Sequence, residues 1–279
     1  MRRAAIVSPD FFEQAERPLR KRGFDVFAVP FSSRVDERIA GHPDLQLFAA
    51  DGRAFVHPDM PEDFTAVLSR YADITVCSTR LGALYPEDCP YNIAFTGEAA
   101  LCRRSIIPPE IAAFFDARGI PVIDVPQGYA RCSTLVVGGK TIITEDEGIA
   151  KAARTAGFDV TVVRPGFIPL KGFKRGFIGG CSGASVSVGV RLCGEVNRGD
   201  LMTSPRIGSH HTINLPANEE QPLPESADTD THTDTVFLSG TLSGHPDWKT
   251  MHAKISSRGK KVVELSAFPA EDYGSIMFL

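Results

Sequence analysis

The residues with the widest chemical reach in this sequence are its cysteines and the tripeptide His42-Pro43-Asp44. Cys132 and Cys181 each lie in a strand-like run, one beside Arg131 and the other between Gly179-Gly180 and Ser182-Gly183. A thiol attacks carbon as its thiolate, which needs a nearby cation or base. Elsewhere an unpaired cysteine is a small buried hydrophobe, which is the favoured reading for Cys132 despite Arg131, whereas at Cys181 the flanking glycines suit a ligand or a crowded strand equally. His42-Pro43-Asp44 sets a proton carrier two residues from a carboxylate, with proline fixing the backbone between them. The tripeptide recurs at His57-Pro58-Asp59 and His245-Pro246-Asp247, each ahead of a helix-like run. Those two copies are expected to start helices, with proline at the first helical position and His or Asp as cap. The first copy, followed by the strand-like DLQLF, reads equally as a site element or a turn.

If the chain carries out chemistry, the expected nucleophile is Cys181 or Cys132, with His42 as proton carrier and Asp44 as electrostatic partner. That arrangement requires His42 or Asp44 to come within about 8 Å of a sulfur, so that a ligand can bridge them. Gln127, Tyr129 and Ser133 add polar atoms beside Cys132, and Ser182 adds one beside Cys181. Glu145 and Asp146 read most simply as acids at a helix start.

Composition removes several classes of activity. The chain has 279 residues, 43% hydrophobic and 23% charged, with a formal net charge of −4. No apolar run reaches the roughly 18 residues needed to cross a membrane, and the apolar run in MRRAAIVSPDFF is too short for a signal peptide. The six cysteines contain no CxxC pair and read as reduced thiols of a cytoplasmic protein. No His/Cys spacing of the zinc type occurs, so no metal is expected, and the absence of GxGxxG and GxxxxGK[ST] leaves no nucleotide cofactor to expect. The acidic balance argues against nucleic-acid and membrane partners and leaves a small-molecule ligand, with oligomeric state open.

The elements that would position these residues repeat. CSTLVVGG, KTIITE, EDEGIAKAARTAG and FDVTVVRP read as strand, strand, helix and strand. The same order returns after Gly41 (DLQLFAA, GRAFVHP, PEDFTAVLSRY, ADITVCS) and after Tyr91 (NIAFTG, AALCRR, PPEIAAFFDARG, IPVIDVP). A fourth copy starts at FIGGCSGASVSVG and resumes at VFLSG, HPDWKTMHAKISSRG and KKVVELS. Between its first two strands lies an acidic insertion at about 195–235, whose core, Pro216–Thr235, has six carboxylates and no Lys or Arg. That composition predicts a disordered loop. The fifth copy is split, with GSIMFL at the end of the chain and RAAIVS, FFEQAERPLRKRG and FDVFAVP at its start. The expectation is one α/β domain over 1–279, a five-unit ring closed by its own termini, which would hide the sheet edges.

Five strand–strand–helix–strand units about an axis resemble the pentein fold of the guanidino-group-modifying enzymes. The blocks GHPDLQLF, YNIAF, VPQGYARCSTLVV, TIITEDEGIAKAARTAGFDVTVVRPG and GFIGGCSG resemble more closely a bacterial domain family of uncharacterised activity assigned to that fold. The resemblance implies two carboxylates gripping a planar guanidinium, a cysteine attacking its carbon and a histidine moving protons. At the matching positions this chain keeps Asp44 within His42-Pro43-Asp44 and has Asn92 for an aspartate. It has Tyr129-Ala130-Arg131-Cys132-Ser133 where a histidine is implied. The strand implied to bear the cysteine reads Asp272-Tyr273-Gly274-Ser275, which makes Asn92 and Ser275 candidate ligand contacts. A serine hydroxyl would need an adjacent base, and this stretch supplies none of the histidine or lysine type. The expected function is binding of a small polar ligand, guanidino or amino-acid in kind, in an axial pocket with thiol-dependent amidino hydrolase or transferase chemistry. The alternative is a catalytically inactive binding or interaction module of the same fold.

Overall fold

Short β-branched and aromatic runs bounded by glycine turns form strands, and the amphipathic runs between them form helices, in a computed structural model that describes residues 3–184 and 235–279. In chain order these are β1 (Arg3–Val7), α1 (Phe12–Arg20) and β2 (Phe24–Ala28), then α2 (Pro43–Gln46), β3 (Leu47–Ala50), β4 (Arg53–Val56), α3 (Glu62–Leu68) and β5 (Asp73–Val76). Next come β6 (Ala94–Phe95), β7 (Ala100–Cys102), α4 (Pro109–Arg118) and β8 (Val122–Asp124), followed by β9 (Thr134–Gly138), β10 (Thr141–Thr144), α5 (Glu147–Thr155) and β11 (Asp159–Val162). The last are β12 (Ser182–Ala184), β13 (Thr235–Leu238), α6 (Trp248–Ser257), β14 (Lys261–Glu264) and β15 (Met277–Phe278). The described residues fall in the compact unit Met1–Gly189 with His232–Leu279. The expected acidic insertion, apart from Thr235, lies outside them.

The strands make five three-stranded sheets, ordered β15-β1-β2, β3-β4-β5, β6-β7-β8, β9-β10-β11 and β12-β13-β14. Each has one antiparallel pair and one parallel pair, and a helix makes the parallel crossover. The first sheet joins the two ends of the chain, with Ala5 opposite Phe278 and Ile6 opposite Met277. The helices follow local rules. In α5, Asp146 accepts the Ile149 amide at 2.8 Å as N-cap, Ile149, Ala150 and Ala153 are buried, and Gly157 ends the run at φ 81°.

Five apolar clusters fill the interior, and each draws on two sheets. Ile6 and Met277 pack with Leu47 and Val56; Phe48 and Phe55 pack with Phe95 and Ala100. Ala94 and Leu101 pack with Val136 and Ile142, Leu135 and Ile143 with Val236 and Leu238, and Phe237 with Ala5 and Val26. Each fully buried Val, Leu, Ile, Phe or Met side chain among them contributes about 1.5–3 kcal/mol. Among the described residues no helix is long and apolar enough to cross a membrane.

The structure corrects the reading of the His-Pro-Asp tripeptides. The first copy starts a helix too, with His42 as N-cap residue and Pro43 in the first turn of α2, so the chain is helical from Pro43 and becomes a strand only at Leu47. The third copy ends on Asp247, the N-cap residue of α6, and the second precedes α3, whose N-cap residue is Pro61; no His or Asp side chain of the three copies makes a capping hydrogen bond. In the second and third copies the histidine Nδ1 atoms accept the amide of the aspartate two residues on, Asp59 at 3.2 Å and Asp247 at 3.0 Å, which makes a tight local turn.

Candidate functional site

Asp44 is the centre of the site. The single turn of α2 carries it into the interior, where it is fully buried, and its amide donates to the Gly274 carbonyl at 3.2 Å. Its Oδ2 accepts the Ser275 hydroxyl at 2.6 Å and the Cys132 thiol at 3.0 Å, while its Oδ1 is buried with no hydrogen-bond partner. His42 follows the same turn inward, and one ligating atom each from His42, Asp44 and Cys132 lies within 4.8 Å of the others. The approach is well inside the distance over which a ligand could bridge them.

Asn92 holds the sulfur in place. Its Oδ1 accepts the amides of Arg131 at 2.7 Å and Cys132 at 3.1 Å, and its Nδ2 donates to Cys132 Sγ at 3.1 Å. An aspartate in this position could not donate to sulfur, so the amide does here what a carboxylate would not. Ser275 reaches Asp44 from an unusual backbone. Its φ is +66°, a left-handed conformation that costs a non-glycine residue about 1–3 kcal/mol and that clusters at functional sites. Gly274 before it has φ +76°, and a Cβ there would lie 2.3 Å from the His42 side chain.

Two charged groups complete the cluster, and neither is among the residues singled out from the sequence. Arg131 is buried and donates to three backbone carbonyls, Thr134 at 2.9 Å, Gly179 at 3.2 Å and Ser182 at 3.0 Å. Asp272 is buried and accepts the amides of Phe177 at 2.9 Å and Gly274 at 3.0 Å. A cavity of about 190 Å³ lies against Asp272, with further polar walls from His42, Tyr129, Cys132 and Arg175 and apolar walls from Ile39, Leu45, Leu170, Phe173 and Phe177. The sequence signal for Asp272 was its place two residues before the Gly274-Ser275 turn. Arg131 carried no signal beyond its position next to Cys132.

Burial sets the protonation states. It pushes the Asp44 carboxyl up to about 6, against the hydrogen bonds from Ser275 and Cys132 that favour ionisation. Burial, with the Asp44 charge beside it, pushes Asp272 up to about 7. Burial takes His42 down to about 3, so its imidazole is neutral at physiological pH. The Cys132 thiol is pushed well above its ordinary range by burial and then by Asp44 and Asp272. Among the described residues Arg131 is the only buried arginine or lysine, and it faces Asp44 and Asp272, while Arg175 lines the cavity wall.

The other expected site residues divide. Tyr129 lines the cavity, and its hydroxyl donates to Asp88. Gln127 turns away, donating to Asp146 at 3.2 Å and accepting the Tyr129 amide at 3.1 Å, which shapes the loop before Cys132. Ser133 Oγ is buried without a partner, and Ser182 Oγ donates to Gly179 O at 2.9 Å. Cys181 is not brought into the cluster. Its thiol donates to Ile178 O at 3.1 Å, among Leu135, Val236, Leu238 and Met251, which is the small-hydrophobe role.

No curated protein matches the chain. Among solved structures, agmatine deiminase of C. jejuni superposes with a TM-score of 0.43 at 11% identity, covering 94% of this chain and 74% of that one. Residues 6–203 match the model of DUF6873, a family of unknown function, and the chain belongs to that family.

Proposed function

We propose that the five sheets close into a five-unit α/β propeller, interrupted by the acidic insertion of 195–235, and that its central cluster attacks a small guanidino or amidino ligand with Cys132. Closure is supported by the five apolar clusters, the last of which ties the fifth sheet to the first, and by the pairing of β15 with β1. The chemistry rests on one observation: the thiol of Cys132, the carboxylate of Asp44 and the imidazole of His42 converge beside a cavity. Asp44 and Asp272 supply the negative charge that a guanidinium seeks, and Asn92, Tyr129 and Ser275 supply neutral polar contacts.

As the sulfur–carbon bond forms, the thiol proton passes to Asp44 Oδ2, the atom that already accepts it. The carbon–nitrogen bond then breaks, and ammonia or an amine leaves with that proton relayed through His42. Water attacks the remaining thiouronium carbon. One of its protons returns to sulfur and the other passes to the released amine, leaving a urea or ureido product. An amine in place of water would make the reaction a transfer. A second reading, binding without turnover, is favoured by the neutral state in which burial and then the two carboxylates hold the thiol.

A panel of guanidino and ureido compounds separates these readings. Specific binding raises the melting temperature in line with RT ln(1 + [L]/Kd). Amine release with a guanidino compound, lost in Cys132→Ser, supports the reaction. Stabilisation without amine release supports the binding module, and no stabilisation by any guanidino compound removes both.

A further inference from the structure

We propose that His42, Asp44 and Cys132 form a three-ligand site for a zinc-class divalent ion, with the fourth coordination position open to the cavity. The donor set is one nitrogen, one carboxylate oxygen and one sulfur, the mixture that borderline-soft cations take in sites with an open position. The spacing fits. Zinc bonds of about 2.0–2.3 Å put tetrahedral donor atoms roughly 3.5 Å apart, and the three here lie within 4.8 Å of one another. Going from 4.8 Å to that spacing takes side-chain shifts on the order of 1 Å. No local sequence pattern marks it, because the histidine and aspartate come from one turn and the cysteine comes 88 residues after Asp44.

An independent observation points to a missing partner. Asp44 Oδ1 is buried and unpaired, whereas its Oδ2 accepts hydrogen bonds from both Ser275 and Cys132. A buried carboxylate oxygen with no donor is costly, and a cation would supply the missing interaction. The surroundings support metal ligation as well. Asn92 Nδ2 already donates to the sulfur, and Ser275 holds the far carboxylate oxygen, the kind of outer contact that orients a metal's ligands. His42 and Cys132 both line the cavity, whose wall includes the partly exposed Phe173, so an ion and a water have a route in. On binding, the Cys132 S–H bond to Asp44 is replaced by a sulfur–metal bond, and the proton is released to solvent.

The test is a cobalt titration of the full chain. One equivalent of Co²⁺ is expected to give the near-ultraviolet charge-transfer band of a cobalt–thiolate bond with visible bands of tetrahedral cobalt, and Zn²⁺ is expected to displace it. Cys132→Ser should lose the charge-transfer band, His42→Gln should bind at least tenfold more weakly, and Cys181→Ser should leave the spectrum unchanged. Folding of each variant is read by circular dichroism. Should a variant fail to fold, the wild-type protein still decides the matter: one equivalent of Zn²⁺ must slow alkylation of Cys132 below its rate in the metal-free protein, mapped by peptide mass spectrometry. No charge-transfer band, a band that survives in Cys132→Ser, or unprotected Cys132 overturns the site. No guanidino compound is involved, so failure here is distinct from failure of the proposed reaction.

Discussion

The same three residues, His-Pro-Asp, occur three times and do two different things. At His42-Pro43-Asp44 the carboxylate is fully buried and faces a thiol, a serine hydroxyl and no cation of its own loop. At His57-Pro58-Asp59 and His245-Pro246-Asp247 the histidine rings are buried too, but the aspartates turn outward to arginines, Asp59 to Arg34 and Arg80, and Asp247 to Arg164. The difference lies in what surrounds each turn. Gly41 and Gly274 let the first turn sit against Pro9, Phe31 and the left-handed turn at Gly274-Ser275, whereas a Cβ on Gly244, before the third copy, would meet nothing within 4 Å. A tripeptide therefore becomes a site only where the rest of the fold crowds it and removes its water.

The strongest way to break this contrast is through those glycines. Gly274→Ala combines a positive φ with a Cβ 2.3 Å from His42, and we expect a loss of about 4 kcal/mol or failure to fold. Gly244→Ala should melt within a degree or so of wild type, because its Cβ enters open space. Equal losses in the two variants would mean that the first turn is no more tightly built than the third.

The next effect concerns charge, and its sign is opposite in the two settings. Because Asp44's folded pKa is raised to about 6 from 3.8, its ionisation costs stability as pH rises through that window. Asp44→Asn lacks that cost and keeps an oxygen to accept from Ser275 and Cys132, so urea unfolding at pH 8 should show a gain on the order of 2 kcal/mol. The gain should shrink at pH 5, where Asp44 is itself protonated. Asp247→Asn removes a surface ion pair and should instead cost a little stability, less so at high salt. A destabilised Asp44→Asn at pH 8 would show that the buried carboxylate is structural.

Thiol reactivity sharpens the comparison further. In wild type, Cys132 should be alkylated by iodoacetamide only slowly at pH 8, since burial and two carboxylates hold it protonated. Removing the nearer carboxylate in Asp44→Asn should speed labelling of Cys132 several-fold, while Asp59→Asn should leave it unchanged. Mapping the label by peptide mass spectrometry checks this. The smallest effect is expected from His57→Asn and His245→Asn, in which the amide oxygen can accept the same i+2 amide that Nδ1 accepts now. Both should stay within about 1 kcal/mol of wild type by urea unfolding.

The five strand–strand–helix–strand repeats were legible because each is a local matter. Alternating β-branched residues, an acidic helix start such as Asp146 and a terminating glycine such as Gly157 declare an element within a dozen residues. The pairing of the two chain ends was legible for a related reason, since the lone last strand completes the strand–helix–strand at the start of the chain, and Ala5 and Ile6 lie opposite Phe278 and Met277. The site was legible only in its members. His42, Asp44, Asn92, Cys132 and Ser275 could each be named, yet the residues favoured Cys181 over Cys132, and Arg131 and Asp272 stood outside the expected set.

What the sequence determined by itself is the order of strands and helices, because hydrophobic period and turn chemistry act between near neighbours. Only the tertiary structure decided which thiol meets which carboxylate. Cys132 reaches Asp44 across 88 residues and Ser275 reaches it across 231, while Cys181, with an equally polar set of neighbours in sequence, turns into an apolar cluster. Those contacts depend on how five sheets pack and on how much water that packing removes, and burial of that kind raises Asp44 and Asp272 and lowers His42. No spacing along the chain carries that information.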